Sequence, residues 1–156
     1  MRGTSGLGSR VLVGLLLLLH FALHPMLSGW PAGPDLLLAG LLLGSLQLRA
    51  GQAAGMGLLL GLLEGSMALT GLGTLMLVFT LTGYVAARLR DIFYSDSAQF
   101  VPKFLLVGVW LGQMIVAALT SWPPETSFLL IHAPLAAVAT AAVCWFGERI
   151  VSFFFG

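Results

Sequence analysis

Charge is missing from long stretches of this chain. No Asp, Glu, Lys or Arg falls within residues 11–34, 65–87, 104–124 or 126–147. Only 8% of the 156 residues are charged and 58% are hydrophobic, with a mean hydropathy of +1.01. A soluble domain carries about 25% charged residues. Apolar runs of this length belong in lipid, where helices satisfy every backbone group within the segment. The pattern predicts an all-α polytopic membrane protein, one integral membrane domain over residues 1–156.

Interruptions divide the chain into six expected transmembrane helices, at about 9–27, 35–48, 53–69, 74–87, 103–121 and 127–146. The run after Arg10 is too long for a signal-peptide core, and no small-residue cleavage pattern follows it, so it reads as a retained span. Ser28-Gly29-Trp30-Pro31-Ala32-Gly33-Pro34 breaks the chain, with Trp30 suited to an interface. The second span covers only about 21 Å against roughly 30 Å of hydrocarbon, so it either sits between longer helices or extends through its ends. The segment Arg88 to Pro102 reads as a polar connection with an interfacial Phe93-Tyr94 pair. The tail from Gly147 reads as a helix end at the interface.

With six spans, Arg2, Arg10, Arg49, Arg88, Arg90, Lys103 and Arg149 all fall on one side, which predicts cytoplasmic termini by the positive-inside rule. Fusing the second and third spans would make a helix of about 51 Å and send Arg88, Arg90 and Lys103 to the opposite side. A re-entrant hairpin over residues 35–69 is the remaining rival.

The third span carries the sharpest candidate site. Gly57, Gly61 and Gly65 recur every fourth residue, and Glu64 lies on the same side. In lipid, small faces serve close helix packing. An ionisable group there is costly and faces protein or water. The expected role is helix packing or partner binding, internal or intermolecular, with Glu64 as a polar pin. Binding an amine, carrying protons or pairing with a partner's basic residue are its functional alternatives. Gly40/Gly44 with Gln47 echoes Gly57/Gly61 with Glu64, and Gly108/Gly112 is a third such pair. Gln47 and Glu64 are expected towards the inner and outer sides respectively.

Pro34 and Asp35 suit a helix start, the proline in the first turn and the acid as a cap. His20 and His24 share a helix face, but a metal site needs further ligands, so interfacial or interhelical hydrogen bonding is expected for them and for His132. Cys144 reads as a small buried residue. Arg88, Arg90 and Lys103 are candidates for contact with anionic lipid or a cytoplasmic partner, beside their role in topology. No CxxC, HExxH, P-loop or GxSxG pattern occurs, and no nucleophile and base pair is evident, so neither an enzyme nor a cofactor is expected. A net charge of +1 gives no ground for nucleic-acid binding.

Residues 30 to 90 resemble the bacterial rod shape-determining protein MreD family. The resemblance rests on the Pro34-started span, the basic turn with Arg49 and Gly51, and Gly57-Leu58-Leu59-Leu60-Gly61-Leu62-Leu63-Glu64. Leu72-Gly73 and Leu81-Thr82-Gly83-Tyr84 complete it. It implies a non-enzymatic scaffold of the cell-elongation machinery in the bacterial inner membrane, involved in cell shape and peptidoglycan synthesis. The implied partners are MreC, the actin-like MreB, and RodA with its penicillin-binding transpeptidase. The family also looks like the substrate-binding subunits of energy-coupling vitamin transporters. The rival is therefore a small-molecule-binding transport subunit, which needs convergent polar side chains. His20, His24, Gln47, Glu64 and Gln113 are few for that task.

Overall fold

A computed structural model describes residues 6–27, 35–67, 71–93, 100–120 and 131–155. They form six helices: α1 (Gly6–Leu27), α2 (Leu36–Ser45), α3 (Ala50–Met67), α4 (Leu72–Phe93), α5 (Phe100–Thr120) and α6 (Ala133–Phe155). Two of them, over Leu72–Ile92 and Phe100–Leu119, are long and apolar enough to cross a membrane by length and composition.

The shortest helix is the centre. α2 is about 15 Å long, and all ten of its residues are buried. It is apolar on every side, as a helix enclosed by others must be, and it touches each of the other five. Of the two expectations for this segment, enclosure between longer helices is the one found. Asp35 starts it, its carboxylate accepting from Leu38 N–H at 3.0 Å. Residues 46–49 then turn the chain into α3.

The other five helices wrap α2 and expose large apolar side chains outward: Leu18 on α1, Leu59 on α3, Leu81 on α4, Ile115 on α5 and Leu135 on α6 are each at least 46% exposed. Contiguous apolar surface of this kind suits a lipid surround. Lipid tails are as apolar as leucine, so in such a surround helices are held by close packing and polar contacts rather than by transfer from water.

One expected boundary is corrected. α4 does not stop at Ala87 but continues to Phe93. Arg88 is compatible with helix there because it reaches back one turn, Nε donating to Tyr84 OH at 3.3 Å with the guanidinium over the ring. α6 extends through the tail to Phe155, and Arg149 likewise stacks on Trp145 one turn earlier. Pro102 and Pro134 both fall in first turns, where a missing N–H leaves no gap in the ladder.

Candidate functional site

Gly57, Gly61 and Gly65 of α3 face α4 at backbone distance. A Cβ on Gly57 would collide with the Phe79 carbonyl, and one on Gly61 would lie 2.6 Å from Met76 Cα. At Gly65 the nearest atom is Leu72 Cα at 2.9 Å. The approach is reciprocal, since a Cβ on Gly83 of α4 would collide with the Ala53 carbonyl of α3. Gly71, with φ of 88°, adopts a left-handed conformation at the start of α4 that suits glycine.

The other two glycine pairs are also occupied from within the chain. Gly40 receives Leu17 of α1, and Gly44 receives Met56 of α3. Gly108 and Gly112 of α5 receive Leu42 and Leu38 of α2. These contacts are with side-chain tips, which can move, whereas those of Gly57 and Gly61 are with backbone, which cannot.

Beside the α3 glycine face, polar side chains converge from several helices. Glu64 Oε2 lies 3.2 Å from His20 Nε2 of α1. Their side chains are 23% and 11% exposed, so the pair is largely withdrawn from its surroundings. Asp35 lies close by, and the Gln113 side chain of α5 donates a hydrogen bond to its carboxylate. The Asp35 backbone N–H donates to Thr140 Oγ1 of α6 at 2.9 Å, and that hydroxyl donates to Ala136 O at 2.7 Å. Gln113 Oε1 is buried and has no hydrogen-bond partner among the described residues. Polar groups from α1, α3, α5 and α6 thus meet at the cap of α2.

His20, Glu64 and Gln113 each lie about 20 Å along their helices from the starts of α1, α3 and α5. The opposite end of the bundle is basic. Arg90 Nη1 donates to Leu46 O and Leu48 O, at 3.0 and 3.1 Å, fastening the end of α4 to the α2–α3 turn that holds Arg49. Asp91 neutralises the same guanidinium at 2.6 Å. Lys103, in the first turn of α5, lines one groove with Leu89 near the end of α4. Gly147 meets Leu12, which brings the Arg149 end of α6 to the Arg10 end of α1. Arg10, Arg49, Arg88, Arg90, Lys103 and Arg149 therefore share one end.

The sequence-derived candidates are distributed accordingly. Gly57, Gly61 and Gly65 face α4, while Glu64 and Asp35 join the polar cluster with His20 and Gln113. Gln47 is not part of it: it is exposed in the α2–α3 turn, bonded to Leu43 O at 3.4 Å. Arg90 is committed to the turn, while Arg88 and Lys103 are exposed at the basic end. Cys144 is buried at 1%. Pro34 and the His24 side chain lie outside the described residues, and His132 precedes α6. Among the described residues, no three His, Cys, Asp or Glu side chains gather to hold a metal ion.

Sequence reasoning missed Thr140. The signal was present as a small-residue stripe, Ala133, Ala136, Ala137, Thr140 and Cys144, all buried on one face of α6. Its spacing is helical, and the hydroxyl sits in the middle of it.

Among known protein families, rod shape-determining protein MreD matches residues 7–147. No curated protein and no solved structure matches the chain.

Proposed function

As the chain belongs to the rod shape-determining protein MreD family, matched over residues 7–147, we propose that it is a non-enzymatic scaffold of the bacterial cell-elongation complex. In this reading it crosses the inner membrane six times and contributes to peptidoglycan synthesis by binding MreC. MreB, RodA and the penicillin-binding transpeptidase join through the same assembly. The family match carries the role in rod shape. The collection of six basic residues at one end supports the orientation, since positive residues are retained in the cytoplasm and the first and last helices have their outer termini there.

The reading assigns Gly57, Gly61 and Gly65 to the α3–α4 seam, because α4 already fills that face. A partner's transmembrane helix then meets other surfaces, for which the exposed side of α3, with Leu58, Leu59, Leu62 and Leu63, is available. Glu64 holds α3 to α1 through His20.

Co-expression of the tagged chain with MreC tests the scaffold. Co-elution from mild detergent is expected, and separate elution of two folded proteins would overturn it. Maleimide labelling of Arg49→Cys from the cytoplasmic side alone tests the orientation. One observation favours a second reading, a small-molecule-binding transport subunit: Gln113 Oε1, buried and without a partner among the described residues, stands in a cluster of convergent polar groups. Saturable, tight binding of a vitamin by the purified chain would select that reading over the scaffold.

A further inference from the structure

A groove of about 780 Å³ runs between α4 and α5, floored by Leu42 of α2. Its lining extends from Leu89 to Leu77 along α4, about 18 Å, and from Phe100 to Leu119 along α5, about 28 Å. Among its described lining residues Lys103 is the only charged one, and Thr82 is the only other with a polar side chain. Lys103 stands at the basic end. Phe100 and Phe104 flank it there, their rings stacked with centroids 5.6 Å apart.

We propose that this groove holds an acyl chain of an anionic phospholipid, with the lipid phosphate at Lys103. Two features select that occupant. The lining is an apolar wall longer than one leaflet of hydrocarbon, roughly 15 Å deep, so an acyl chain entering at the basic end is covered along its length. Lys103, the one charged residue among the described lining residues, sits where the headgroup must lie, with an aliphatic stem that can follow the groove wall while its ammonium reaches the interface. This site does not depend on which proteins the chain assembles with.

The test uses the full chain in detergent, with native mass spectrometry of bound phosphatidylglycerol and phosphatidylcholine carrying the same acyl chains. Phosphatidylglycerol is expected to be retained preferentially. Lys103→Gln should lower its retention about five-fold, the worth of one lysine against an anionic lipid, while Lys103→Arg restores it. Val107→Trp, which fills the groove from an exposed lining position, should reduce both lipids alike. Unchanged phosphatidylglycerol retention in Lys103→Gln overturns the proposal. A photoreactive side chain at position 107, irradiated in native membranes, should yield lipid adducts. A protein adduct as the sole product would assign the groove to a partner helix and also overturn it.

Discussion

His20 of α1 and Glu64 of α3 meet at 3.2 Å, joining two helices that are not adjacent in sequence. Polar contacts between membrane helices are worth about 0.6 kcal/mol on average and up to about 1.7 kcal/mol. A double-mutant cycle of His20→Ala and Glu64→Ala, followed by unfolding in detergent, should give a coupling within that range. Additivity to within about 0.3 kcal/mol, the behaviour of independent sites, would show that the pair does not act as one.

The α3–α4 seam makes a position-specific prediction. Gly57→Ala and Gly61→Ala should each destabilise the protein by about 1–3 kcal/mol, the usual cost of forcing extra atoms into a packed site. Gly55→Ala has nothing within 4 Å of its new methyl and should be neutral or stabilising by about 0.5–1 kcal/mol, as for any exposed helical glycine. Thermal unfolding in detergent ranks the three. Equal midpoints for positions 55 and 57 would contradict the seam.

Thr140 has two duties that can be separated by substitution. Thr140→Val keeps the shape but strips the acceptor from the Asp35 N–H, at an expected cost of about 1–3 kcal/mol for a buried group left unpaired. Thr140→Ser retains the hydroxyl and should recover most of that loss. If valine and serine variants unfold together, the hydroxyl is not what holds the cap of α2.

Arg90 anchors the α2–α3 turn through two carbonyls that its Nη1 reaches together, while Nε and Nη2 hold Asp91. Arg90→Ala should lower stability by about 1.5–3 kcal/mol, the range for hydrogen bonds to a charged group. Amide exchange should quicken around residues 46–49. Arg90→Lys offers a point charge without the planar fork and should recover only part of the protection. Unaltered exchange in Arg90→Ala would remove the anchor from the account.

The order of elements was legible without coordinates. Alternation of apolar runs with Gly, Pro and charge marks six segments, but the turn expected at Arg49 to Gln52 lies earlier, at residues 46–49, and Ala50 to Gln52 already belong to α3. The glycine spacing in α3 also announced a close contact, and the acid beside it a polar one. Helix ends were less legible. Arg88 and Arg149 are charged yet helical, because each folds back on an aromatic residue one turn earlier.

The sequence by itself determined which helices form and which faces are small, because both follow from composition and a local 3.6-residue period. It could not say what fills those faces. Only the tertiary structure decided that α4's backbone lies on Gly57 and Gly61, that short α2 is the enclosed centre, and that Glu64 points to His20. The physical reason lies in the lipid solvent. It drives apolar helices neither together nor apart by transfer energy, so partners are chosen by shape and by the few polar groups that must find one another. Those choices depend on distances between residues as remote in sequence as Asp35 and Thr140, which no local pattern encodes.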